Sequence, residues 1–83
     1  MSHNLDVQVL DSDGSPVSGA QVEILIHGFL KGGRLSEYTD SDGHAAFETE
    51  ADYRDSYELT IYVRGQSFGR YSIGTGAYTV TLE

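Results

Sequence analysis

Two copies of the tetrapeptide Asp-Ser-Asp-Gly, at Asp11–Gly14 and Asp40–Gly43, carry the residues in this sequence best suited to chemistry. Brought together, the carboxylates of Asp11, Asp13, Asp40 and Asp42 would offer the hard oxygens that calcium takes about six to eight at a time. The spacing departs from the helix-flanked calcium loop, which places its glycine at position six and closes on a bidentate glutamate. Here the glycine directly follows the second aspartate. Asp and Ser ahead of Gly also make ordinary turns, because their side chains accept hydrogen bonds from backbone two residues on. The turn reading is the stronger one, and the four aspartates stand as possible metal ligands beside it.

Two further constellations are weaker. Gly65-Gln66-Ser67-Phe68-Gly69 matches G-x-S-x-G letter for letter. A nucleophile elbow needs a strand before it, a helix after it and a large α/β sheet beneath. Strand-like alternation continues beyond Ser67, so the segment reads as a glycine-flanked turn. His3, His27 and His44 share no ligand spacing, and a chain without cysteine lacks the usual donors of a structural zinc site. No cofactor is expected, and no base–nucleophile pair stands out.

The elements that must hold these residues are short. The chain has 83 residues, enough for one domain spanning 1–83, with residues 1–3 read as disordered. Five basic against thirteen acidic residues give a net charge of −8, which argues against nucleic acid or an anionic membrane surface as partner. No apolar run approaches the roughly 20 residues of a membrane span, and Met1–Asn4 leads into no signal-peptide core. The chain as given reads as cytoplasmic.

Ten glycines and one proline punctuate the chain into runs that alternate apolar and polar residues with period two. Seven strands are expected: Asn4–Leu10, Ala20–His27, Arg34–Thr39, His44–Glu50, Tyr57–Arg64, Ser67–Ser72 and Ala77–Leu82. Gly69 marks the sixth as an edge strand or the site of a bulge. No stretch has helical periodicity, and Glu50–Asp55 has room for one helical turn at most. The expected fold is an all-β, seven-stranded antiparallel sandwich, immunoglobulin-like or transthyretin-like, without substantial helix. Alternating chain direction then sorts the loops. The four aspartates gather at one end, while Phe29, Leu30, Lys31, Tyr53 and Arg54 gather at the other.

Two stretches are more specific than the fold class. Val7-Gln8-Val9-Leu10-Asp11-Ser12-Asp13-Gly14-Ser15-Pro16-Val17-Ser18-Gly19-Ala20-Gln21-Val22 is one. Thr39-Asp40-Ser41-Asp42-Gly43-His44-Ala45-Ala46-Phe47 is the other. Together they resemble the carboxypeptidase regulatory-like and transthyretin-like (prealbumin-like) sandwiches, in which a strand ends in D-x-x-G-x-P-V-x-G-A-x-V and a later hairpin reads T-D-x-x-G-x-A-x-F. The resemblance implies an accessory module: a domain of secreted carboxypeptidases, a stalk of bacterial surface proteins, or an extension on secretion-system tip proteins. It is also similar to the 5-hydroxyisourate hydrolases, which read H-V-L-D where this chain has Gln8-Val9-Leu10-Asp11. An amide at Gln8 cannot exchange a proton near neutral pH, so the chemistry that resemblance implies lacks its base. The internal Lys–Asn bond of related pilin-type sandwiches would need Lys31 and Asn4 together in a buried core, and neither position suits it.

What remains is recognition. Phe29 and Leu30, between glycines, either plug one end of the sandwich or present a partner site with Lys31, Tyr53 and Arg54. Edge strands offer pairing with a second copy or an extended peptide, so a homo-oligomer is possible. The expected partner is another protein or a larger parent chain. An alternative is carbohydrate, stacked on a stripe formed by Tyr38, Tyr62 and Tyr71.

Overall fold

The computed structural model describes residues 2–27, 33–50 and 57–83. Its strands, in order, are β1 (Ser2–Leu10), β2 (Gln21–His27), β3 (Gly33–Tyr38), β4 (His44–Glu50), β5 (Glu58–Val63), β6 (Gln66–Ser72) and β7 (Ala77–Thr81). They form a three-stranded sheet in the order β4-β1-β7 and a four-stranded sheet in the order β3-β2-β5-β6. The alternating residues do what their period demands. Leu5, Val7 and Val9 of β1 are buried together with Val22, Ile24 and Ile26 of β2. Leu59, Ile61 and Val63 of β5 and Tyr78 and Val80 of β7 join the same core. Each such aliphatic side chain contributes about 1.5–3 kcal/mol on burial, which a chain of this size needs to offset the ordering of its backbone.

β1 starts at Ser2, opposite Glu50, so its pairing begins two residues earlier than the hydrophobic alternation suggests. The expectation of a wholly antiparallel sandwich is corrected: β1 and β7 run parallel, from Asp6↔Ala77 to Leu10↔Thr81. Parity explains it. Chain direction reverses at each connection, so two odd-numbered strands placed side by side must run the same way. The other pairings join an odd to an even strand, and all of them are antiparallel. The order also differs from the immunoglobulin constant arrangement, where the first two strands are sheet neighbours.

Among the described residues the helical content is one 3-10 turn, Ile73–Thr75, in the β6–β7 connection. Its Ile73 is a core residue that periodicity does not reveal. The buried Tyr78 hydroxyl holds this turn, donating to the Ser72 carbonyl and accepting from the Gly76 N–H at 3.3 Å. Burial pushes the Tyr78 phenol above its usual pKa. β6 lies at an edge of its sheet, with a register shift between Leu59 and Thr60 opposite Gly69 and Tyr71.

One end of the molecule is knitted by Thr39, the one buried polar residue among those described. Its hydroxyl accepts from the Ala20 N–H at 2.9 Å and donates to the Val17 carbonyl at 2.6 Å. Two backbone bonds, Gly19 N–H to the Thr39 carbonyl and Thr39 N–H to the Ala20 carbonyl, complete the clamp. The threonine that opens the second motif thus ties the β1–β2 connection to the β3–β4 connection.

Candidate functional site

Both Asp-Ser-Asp-Gly segments fold as the same turn. The Asp11 Oδ1 accepts from the Asp13 and Ser15 N–H groups, each at 2.9 Å. The Asp40 Oδ1 accepts from the Asp42 N–H at 2.9 Å and the His44 N–H at 3.0 Å. In both, the glycine N–H bonds back to the first aspartate's carbonyl and the glycine takes a positive φ, 84° at Gly14 and 81° at Gly43. Among the described residues no three His, Asp or Glu side chains converge closely enough to hold a metal ion. Asp11, Asp13, Asp40 and Asp42 share an end of the molecule without forming a cage, and two of them spend an oxygen on their own backbone. The His44 and Asp42 N–H groups hold the Asp40 carboxyl below its usual pKa.

His44 extends the second turn onto the outer face of the three-stranded sheet, where its Nδ1 lies 2.8 Å from Asp6 Oδ2. That hydrogen bond, with further attraction from Asp40 and Asp42, raises the imidazole pKa. This face is acidic. A depression of about 430 Å³ at its β4 edge, where β3 of the other sheet comes alongside, is lined by Asn4, Asp6, Ala46 and Glu48, by Glu37 of β3, and by the edges of Leu5 and Phe47.

The outer face of the four-stranded sheet has the opposite character. Strand register sets Ser36, Glu23, Tyr62 and Ser67 across it in one row, and Arg34, Leu25 and Thr60 in the next. Gln21 donates to Ser36 Oγ at 2.9 Å. Arg34 sits 3.8 Å from Glu23, and Arg70 lies 3.5 Å from Glu58. Tyr38 is 66% exposed and Tyr62 37%. A groove of about 470 Å³ runs between Gln21, Glu23, Arg34, Tyr62, Arg64 and Gly65.

Arg64 enters this groove from the two-residue turn joining β5 to β6. Val63 pairs with Gln66, and both central residues have positive φ, 51° at Arg64 and 80° at Gly65. This is the turn whose twist suits a hairpin, and its first central position favours Asn, Asp or Gly. Arg64 is the one non-glycine with positive φ among the described residues. Holding an arginine there costs about 1 kcal/mol.

Phe29, Leu30, Lys31, Tyr53 and Arg54 lie outside the described residues. Ser67 of the G-x-S-x-G segment is an exposed strand residue opposite Tyr62, with a strand rather than a helix after it. The tyrosine stripe does not form as a trio. Tyr71 pairs opposite the buried Leu59, packs on the core and stacks against Tyr78 with centroids 5.3 Å apart and planes tilted by 42°. Tyr38 and Tyr62 do share the outer face, on strands separated by β2 and so by about 10 Å. Gln21, Glu23, Arg34 and Arg64 carry no site signature in the sequence, because polar and charged residues at the outward positions of a strand read as solvated. Arg-Gly in a tight hairpin turn was the one available signal. No protein-family model matches the chain, and no curated protein matches it in sequence.

Proposed function

We propose that the chain is a non-catalytic protein-recognition module on a carboxypeptidase regulatory-like or transthyretin-like sandwich, either free-standing or carried within a longer parent chain. The observation that carries this reading is the outer face of the four-stranded sheet. It sets exposed Tyr62 beside Arg34 and Arg64 and carries Tyr38 and Arg70 elsewhere on the same face, the residue types that dominate protein interfaces. Both motifs behind the resemblance are spent on architecture: two aspartate turns and the Thr39 clamp. Gln8 offers no base where the hydrolase resemblance would need one, so recognition rather than turnover is the activity the residues support.

The test is photocrosslinking. A benzoylphenylalanine in place of Tyr62 should yield discrete protein adducts in an extract of the native cells, competed away by unlabelled protein. The same probe in place of Thr79, exposed on the other sheet, should yield none. Equal adducts at both positions, or none at Tyr62, would remove the sheet face from the proposal. Adducts that persist in the Phe29→Ser, Leu30→Ser double variant separate this face from the 28–32 loop.

A further inference from the structure

The groove beside Arg64 has a charge and a geometry that select one kind of partner. The chain carries a net charge of −8, yet every Lys or Arg side chain among the described residues lies on this face or in the turn at its end. Arg34 and Arg70 already have carboxylate neighbours in Glu23 and Glu58. Arg64 has no ion pair among the described residues, so its five N–H donors are uncommitted. Arg34 is held loosely, since 3.8 Å from Glu23 is an ion pair without a direct hydrogen bond.

Position adds to charge. Arg64 occupies a left-handed conformation that asparagine or glycine would fill with less strain. Local strain of this kind collects where a side chain is held for binding. The hairpin that carries it is rigidly registered from Val63↔Gln66 to Ile61↔Phe68, so the guanidinium projects from a fixed base. Beside it Tyr62 offers an aromatic wall and Gln21 an amide, in a groove of about 470 Å³ that suits one or two side chains.

Resting on the recognition reading above, we propose that this groove docks an acidic segment of a partner protein. A carboxylate of that segment takes the bidentate fork of Arg64, and a second draws Arg34 away from Glu23. The chain's own acidity does not forbid this. Asp6 and Glu48 lie on the far sheet, about 10 Å or more away. The nearer acids, Glu83 bonded to Gln66 and the turn of Asp40 and Asp42 after Tyr38, act on the groove through solvent, where salt screens over about 8 Å. On the face itself three guanidiniums stand against two carboxylates.

The experiment titrates ¹⁵N-labelled protein with a synthetic decamer of glutamate, and separately with its uncharged glutamine counterpart. The glutamate peptide should give saturable shifts centred on residues 21–23, 34 and 62–65, and the glutamine peptide none. Arg64→Asn should weaken binding about tenfold or more, the loss of one bidentate pair. It should also raise the melting temperature, because asparagine suits the turn better. Arg70→Gln, an equal charge change outside the groove, should leave affinity within about twofold. Scattered or non-saturating shifts, equal response to both peptides, or equal effects of the Arg64 and Arg70 variants would overturn the proposal. If the Tyr62 adducts form and the glutamate peptide fails, the acidic class falls and the recognition face stands. If the adducts fail as well, both fall.

Discussion

The two Asp-Ser-Asp-Gly turns are alike in sequence and in backbone hydrogen bonding, and they differ in what surrounds them. Around Asp11 the turn stands in open solvent, and a methyl group added at Gly14 would meet nothing within 4 Å. Around Asp40 the turn is built into the fold. Gly43 is buried, its carbonyl accepts from the Val9 N–H, and a Cβ there would lie 2.8 Å from the Val9 carbonyl oxygen and 3.0 Å from the Pro16 Cβ. The first turn only reverses the chain. The second also seats against β1 and the β1–β2 connection, so one tetrapeptide serves two structural purposes.

Glycine substitution should split the pair most sharply. Gly14→Ala meets only the positive φ and should lose about 1 kcal/mol. Gly43→Ala meets the same φ and a clash with backbone that cannot yield, and should lose about 3 kcal/mol or more. In an 83-residue domain that is a large fraction of the whole stability. Urea denaturation of both variants measures the difference. Equal losses would mean that the seating of Gly43 contributes nothing.

How much of this was legible beforehand depends on the scale. The turns were readable, because Asp, Ser and Gly each act on their nearest neighbours along the chain. So were the core faces: Val22, Ile24 and Ile26, or Leu59, Ile61 and Val63, follow from period two alone. Partners across space were not. Alternation says which way a side chain points but not which strand lies beside it, so the parallel contact of β1 with β7 escaped, as did the seating of Gly43 on Pro16. The Arg64 groove escaped for the same reason. Its residues come from β2, β3 and the β5–β6 turn, and only strand register brings them together.

A smaller effect separates the turns by pH. The residue after the glycine is Ser15 in the first and His44 in the second, and only His44 can titrate near neutrality. Bonding to Asp6 raises the His44 pKa in the folded protein. A raised folded pKa means the protonated form is favoured by folding. The stabilisation is therefore complete below about pH 6.5, the unfolded value, and is lost as pH rises through the folded one. Denaturation midpoints should fall as pH rises above about 6.5 and through the raised folded value in the native sequence. The step should disappear in His44→Ser, which turns the second segment into a copy of the first, and in Asp6→Asn. A step that survives in both variants would assign it to another group. Asp40 has the opposite sign: its lowered pKa contributes stability above the ordinary aspartate range, lost as pH falls through the folded value.

The smallest expected effect is that of calcium, and it tests whether the two turns act together. Each turn spends its first carboxylate's Oδ1 on two backbone N–H groups, at 2.9 to 3.0 Å. A cation recruiting those oxygens would compete with the bonds that shape the loops. Were the four aspartates a real site, calcium at a hundred times its dissociation constant would add about 2.7 kcal/mol. In a domain of this size that raises the melting temperature by roughly 10 °C or more. Melts in excess calcium and in chelator should instead agree within about 1 °C. A large upward shift that vanishes in the Asp13→Asn, Asp42→Asn double variant would show the turns closing on a shared ion, and the contrast between a free turn and a seated one would no longer describe this end of the molecule.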